Sequence, residues 1–397
     1  MEPRKIREGI FWMGAVDWDR RLFDSLIPLP DGTSYNAYLV QGKEKTVLLD
    51  TVDPTMTDKL LTQLESVRKL DYLVAHHAEQ DHAGSIPHVL QKYPDAKLVT
   101  TPKGKEFLVE LLHIPPERFI TVSDRETISL GGKTLEFIYT PWVHWPETMV
   151  TYLREEKILF SCDFFGSHLA TTDLYAVDKA RTYRAAKRYF AEIMMPFSKI
   201  IEKNLEKLKD LQIDIIAPSH GPIHNDPSFI ITAYRDWVSG APKNIVLLPY
   251  ISMHGSTRKM VDYFTGALVE RGVSVQRFDL TVTDLGELAA SLIDAATIVL
   301  GAPTVLAGAH PAVIHAAHLA AALRPKAKFA SIIGSYGWGG KTLEQLASIL
   351  SPLKLEILQP VLCKGLPREA DFKALDNLAD TIAQKHRSTT PAGVVNV

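Results

Sequence analysis

The sequence predicts two α/β domains in series, a mixed layered domain followed by a doubly wound parallel sheet. Three observations carry this. At 397 residues the chain is too long for one ordinary core, and about 150 residues per domain makes two the working number. The first half holds short β-rich runs bounded by turns, with helical stretches between only some of them. The second half alternates continuous apolar strands with helix patterns, as a parallel sheet covered on both faces requires.

In order, the first half reads as strands at TVLLDTV (46–52), KLVTTPK (97–103), TLEFIYT (134–140), ILFSCDFF (158–165) and IIAPSH (215–220). The second half reads as strands at NIVLLPY (244–250), SVQRFDL (274–280), TIVLGAPT (297–304), KFASIIGS (328–335) and KLEILQPVL (354–362). The helix after the first of these presents Val261, Phe264 and Leu268 on one face, and Gly272 is placed to end it. WVSGAPKN (237–244) brings Ser, Gly and Pro together between the halves, so the boundary is expected near 241, giving domains 1–241 and 242–397.

Composition narrows the function. A formal charge of -2 leaves no basic footprint for nucleic acid or an anionic membrane. The N-terminus lacks the apolar core of a signal peptide, and the most apolar region, 291–323, is broken by Asp294, Pro303, Gly308, His310 and Pro311, so no membrane span is expected. Two cysteines, Cys162 and Cys363, build neither a disulfide framework nor a cysteine-ligated cluster, and a reducing cytoplasm fits.

The chemistry begins at HHAEQDHAGS (76–85). It follows the apolar run 70–75 and precedes a helix whose face is Ile86, Val89, Leu90 and Tyr93. In an extended segment His77, Glu79 and Asp81 project to one side, and His82 can swing in where the chain turns toward the helix. More candidate ligands stand at later strand ends: His144 in HWPE, Asp163 after ILFSC and His220 in PSHG. Four histidines and three carboxylates exceed the needs of one metal ion. His76, His88, His113, His315, His318 and His386 match no ligand position; His168 and His224 lie near ligand loops and could support them. Strand alternation points Cys162 away from the metals.

The second half offers three loops at strand ends. In SMHGST, residues Ser252, Met253, His254, Gly255, Ser256 and Thr257 join an apolar strand to an amphipathic helix, a cradle suited to one phosphate. The other two carry Ala302, Pro303, Thr304 and Val305, then Gly334, Ser335, Tyr336, Gly337, Trp338 and Gly339. Their small residues permit close backbone approach, and their aromatics can stack on a flat heterocycle.

The series H-x-E-x-D-H, H-W-P, a strand-borne Asp and P-S-H-G resembles the metallo-β-lactamase-like domain of flavodiiron proteins, and the three later loops resemble flavodoxin. The resemblance runs from GAVDWDRRLF (14–23) and GTSYNAYLV (32–40) through the end of the chain. It implies an N-terminal αββα sandwich, a C-terminal flavodoxin-like sheet of order 2-1-3-4-5, and FMN as the flavin. It further implies a diiron site with His77, Glu79 and His144 on one iron, Asp81, His82 and His220 on the other, and Asp163 bridging. Glu79 stands where hydrolases of this fold commonly carry histidine and hold zinc; a mixed imidazole and carboxylate shell suits two redox-active irons. The implied activity is reduction of dioxygen to water or of nitric oxide to nitrous oxide. Implied partners are rubredoxin or a reduced deazaflavin as donor, and a second copy of the chain in a head-to-tail homodimer or a dimer of dimers. One departure is Phe23-Asp24-Ser25 where many relatives carry Phe-His-Gly, and no rubredoxin or flavin-reductase module is expected to follow. The rival readings are a binuclear metallohydrolase and a non-catalytic electron-transfer or sensing flavoprotein; gas consumption and product analysis separate them.

Overall fold

The computed structural model describes residues 2–389, which form two compact units. One comprises the residues up to Phe190 with Phe197–Val238; the other runs from Ser239 onward and includes Ala191–Pro196.

The first unit pairs a seven-stranded sheet with a five-stranded one. The seven strands, in spatial order, are Arg4–Arg7, Ile10–Asp17, Thr33–Gln41, Thr46–Leu49, Tyr72–Val74, Lys97–Thr100 and Phe119–Thr121. The five are Thr127–Ser129, Thr134–Tyr139, Met149–Leu153, Ile158–Cys162 and Ile215–Pro218. Side-chain alternation sorts the cores. Val47 and Leu49 join Val74, Val99, Phe137 and Phe160 between the sheets, whereas Leu48 turns with Leu73 and Leu98 toward Leu60, Ile86 and Leu108 of the covering helices. This is the αββα sandwich.

Three strands that lead into site loops have parallel partners: Tyr72–Val74 lies between Thr46–Leu49 and Lys97–Thr100, and Ile158–Cys162 and Ile215–Pro218 pair with each other. Their carboxyl ends therefore open on a common edge, where the loops with His77, Asp163 and His220 begin.

The second unit is a parallel sheet ordered Ser274–Asp279, Lys243–Tyr250, Ala295–Val305, Phe329–Tyr336 and Glu356–Ile357, which is 2-1-3-4-5 in chain order. Phe264 and Leu268 of helix Ser256–Glu270 are fully buried against Val246, Leu248 and Tyr250. Gly272 follows at φ +72°, a left-handed turn that glycine adopts without a Cβ clash.

Differences from the sequence reading are local. KLEILQPVL is two pieces, Glu356–Ile357 and Val361–Lys364, because Pro360 lacks the N–H a continuous ladder needs. Strands Ile10–Asp17, Thr33–Gln41 and Met149–Leu153 carry weak signals. In the second, the buried Asn36 breaks the apolar run and is satisfied through long-range bonds, its Nδ2 donating to the Pro218 and Gly221 carbonyls at 2.8 Å each.

Candidate metal centre

The chain leaves the end of Tyr72–Val74 through His77, and Glu79 has extended backbone. Asp81 and His82 do not continue it: they lie on a short helix, Gln80–Ala83. That corrects the expectation that His77, Glu79 and Asp81 share one side. The helical turn swings Asp81 and His82 away from His77 and Glu79, so two groups form.

In the first group His144 Nε2 lies 2.9 Å from Glu79 Oε2 and 3.3 Å from Asp163 Oδ2. His77 Nε2 lies 3.2 Å from Glu79 Oε2 and 3.1 Å from Asp163 Oδ2. In the second group His82 Nε2 lies 3.2 Å from Asp81 Oδ2 and 2.9 Å from Asp163 Oδ1, and His220 Nε2 lies 3.0 Å from Asp81 Oδ2 and 3.5 Å from Asp163 Oδ1. Two ligand atoms about 2.1 Å from one first-row metal, at right to tetrahedral angles, lie about 3.0–3.4 Å apart. The contacts within each group, 2.9–3.5 Å, lie close to that spacing, and Asp163 gives one oxygen to each. Except Glu79 and His144, which are partly covered, all seven side chains are buried.

Without a cation the carboxylates charge the imidazoles. Burial opposes protonation of His82, but Asp81 and Asp163 beside it outweigh burial and raise it to about 9. Burial likewise opposes the charge on His144, and hydrogen bonds with Asp163 and Glu79 raise it to about 9. His77 is also raised against its burial, by Cys162 and Asp163. Asp163 moves the other way: burial works against its charge, and the surrounding histidines hold it well below the usual carboxylate range. At Asp24, beside the site, burial and the Glu79 and Asp81 charges raise the carboxyl.

Supporting residues invisible to the motif reading tie these loops together. Asp50 accepts from the His76 backbone N–H at 2.9 Å, from His76 Nδ1 at 2.6 Å and from Ser219 Oγ at 3.3 Å. One carboxylate thus joins the residues preceding ligands His77 and His220. His220 Nδ1 donates to the Ser34 carbonyl at 2.7 Å, and Glu147 accepts from Ala78 N, between His77 and Glu79, at 2.9 Å. His168 packs its ring 4.8 Å from that of His220 and bonds Thr33 through Nδ1; His224 donates to the Phe165 carbonyl at 3.0 Å. Cys162 departs from the alternation expected of it. Its φ of +53° and the register shift between Phe160 and Cys162 turn Sγ to within 3.3 Å of His77 Nδ1.

The second unit holds a cleft of about 400 Å3 at the carboxyl ends of its strands. Ser252, Met253, His254, Ser256, Thr257, Pro303, Thr304, Val305, Ser335, Tyr336, Gly337 and Trp338 line it, with Leu306 and Gly365, which sequence reasoning passed over. Gly255, at φ +89°, precedes the first turn of the fifteen-residue helix, whose amino end meets the cleft through Ser256 and Thr257. Gly339 adjoins the cleft in sequence but is not part of its lining. Ala302 and Gly334 sit behind it: Ala302 is fully buried, and a Cβ on Gly334 would meet the Ala302 carbonyl oxygen at 1.9 Å.

Comparison with known proteins agrees with both units. A family model described as ODP family β-lactamase matches residues 33–221. A protein named nitric oxide reductase from Moorella thermoacetica is 36% identical over 97% of this chain and 99% of its own length. The solved rubredoxin oxygen:oxidoreductase of Desulfovibrio gigas superposes with a TM-score of 0.94 at 32% identity, covering 98% of this chain and 100% of that one. The solved flavodiiron protein of Giardia intestinalis superposes with a TM-score of 0.91 at 26% identity, covering 98% and 99%.

Proposed function

The chain belongs to the flavodiiron protein family, and from that premise we propose that it takes electrons on FMN and spends them at two irons to reduce dioxygen or nitric oxide. One observation carries the metal assignment: Asp163 turns its two oxygens to two separate ligand groups.

The residues present fit these groups. Both oxygens of Asp81, both ring nitrogens of His82 and Asp163 Oδ1 are buried without a hydrogen-bond partner. Close contacts between these carboxylates and imidazoles leave the atoms without aligned hydrogen bonds, an arrangement that is costly to bury and that bound cations would satisfy. His77, Glu79 and His144 would hold one iron, and Asp81, His82 and His220 the other, with Asp163 between. In the second unit the helix N-terminus and the Ser252–Thr257 loop would take the FMN phosphate, and Tyr336 and Trp338 would face its ring.

When bound, the flavin splits electron pairs and the irons bind and reduce the gas. The chain's own residues hold that chemistry in place. The carboxylates of Glu79, Asp81 and Asp163 offset cationic charge, favouring the ferric state, and Asp50 fixes the two strand ends from which ligands project. Phe23, Tyr35 and Tyr189 surround His220 with rings 5.8–6.2 Å away and limit water on that side.

Two buried free cysteines suit a reducing compartment, and among the described residues no helix is long and apolar enough to cross a membrane. These support a cytoplasmic enzyme. The donor reading is a rubredoxin or a reduced deazaflavin, and the assembly reading is a head-to-tail homodimer, alone or doubled.

The test is content followed by turnover. Protein made with ample iron should carry two irons and one FMN per chain, and after full reduction it should consume dioxygen, nitric oxide or both in stopped flow. Two zincs with no gas consumption would return the chain to the hydrolase reading.

A further inference from the structure

Every metal-bound imidazole has a second nitrogen, and its partner tunes how much charge the ring donates to the metal. His220 has a strong partner, the Ser34 carbonyl at 2.7 Å. His77 has a weak one. Its Nε2 faces Glu79 and Asp163, which leaves Nδ1 to carry the proton, and the atom meeting Nδ1 is Cys162 Sγ at 3.3 Å. Sulfur is a poor acceptor, and this contact is closed to bulk water, with His77 fully buried and Cys162 1% exposed. The backbone is bent to make this contact. Cys162 takes a left-handed φ that L residues avoid, at the point where the strand pairing slips.

We propose that Cys162 is a positioning residue that accepts the His77 Nδ1–H weakly and thereby keeps the diiron centre at a higher reduction potential than an oxygen acceptor would. A weakly held N–H leaves the imidazole less basic, so it donates less charge and stabilises ferric iron less. The inference rests on the diiron reading above, and the two are tested separately.

The experiment compares wild type, Cys162→Ser and Cys162→Ala as full chains loaded with iron and FMN. Iron content comes first: wild type without two irons sinks the diiron reading, whatever Cys162 does. With iron present, redox titration followed by the spectrum of the mixed-valence pair reads the potential. Serine, the stronger acceptor, should lower it relative to wild type; alanine, which accepts nothing, should not; the FMN potentials should stay put in both. Equal diiron potentials in the serine and alanine variants overturn the proposal. Should either variant fail to fold or load, zinc-loaded wild type provides the second measurement by 15N NMR of its histidines. A protonated, slowly exchanging His77 Nδ1 whose N–H correlates with the Cys162 side chain supports the contact. An Nδ1 without a proton, or an N–H in fast exchange with water, overturns it.

Discussion

At the scale of single residues, proton and metal compete for the same imidazoles. His82 and His144 have pKa values of about 9 in the metal-free fold, above the ordinary 6.5, so both are protonated at neutral pH and a metal must displace those protons. Metal uptake at pH 7 should release protons, and affinity should rise with pH until about 9. Titration calorimetry in buffers of different ionisation enthalpy measures this; uptake without net proton release would count against the charged cluster. The same shift sets stability. A raised histidine pKa stabilises the metal-free fold fully below the unfolded value of about 6.5, and that contribution is lost as pH rises through about 9. Metal-free protein should lose thermal stability across that window while loaded protein does not. Glu79→His should move the site toward zinc and abolish gas reduction with the fold intact; Asp163→Ala should lower occupancy at both positions, and FMN should remain bound in each. Elemental analysis beside gas consumption decides it. These ligands were legible in the sequence because their chemistry is written in residue type and close spacing. Asp50, His76 and Cys162 were not, since each matters through a contact whose partner is distant in sequence or through a backbone angle that alternation does not foresee.

At the scale of elements, the glycines proposed for flavin loops differ in kind. A Cβ on Gly334 would lie 1.9 Å from the Ala302 carbonyl oxygen in the neighbouring strand, and backbone cannot step aside. Gly334→Ala should therefore separate two central strands and cost about 1–3 kcal/mol or more. Gly337→Ala meets nothing within 4 Å and should leave stability unchanged. Chemical denaturation of the two variants checks the contrast, and equal losses would mean that the strand packing is misjudged. The last helix, Glu369–Thr389, carries a second test. His386 is buried, its Nε2 against Thr297 Oγ1 at 2.7 Å and its Nδ1 against Asn244 Oδ1 at 2.8 Å, and burial lowers its pKa to about 4. Because the unfolded chain binds that proton more readily, stability is full above pH 6.5 and falls as pH drops toward 4. His386→Gln should flatten this dependence in a denaturation series over that range. The second unit's strands were readable from apolar runs between turns, whereas Thr33–Gln41 in the first was not, because its buried Asn36 is justified by partners distant in sequence, the Trp12 indole N–H and two carbonyls more than 180 positions away.

At the scale of the whole molecule, electrons must pass from a cleft in one unit to a metal centre in the other, and the proposed head-to-tail dimer assigns that step to two different chains. An isologous two-fold contact of that kind would set each chain's flavin against its partner's irons, so one pairing would form two working centres. The prediction follows from which halves are intact. One chain loses its metals through His77→Ala and Asp163→Ala; the other loses its flavin through Ser256→Asp and Thr257→Asp, which place negative charge where the phosphate would bind. Each variant alone should be inactive. In a co-expressed heterodimer the first chain's FMN faces the second chain's irons, restoring one centre of two and about half of wild-type gas turnover per dimer. Within a single chain no intact pair exists, so transfer confined to one chain predicts no recovery. Turnover no higher than that of either crippled homodimer, with folding and cofactor content confirmed, would therefore rule out transfer between subunits and leave each chain to pass its own electrons.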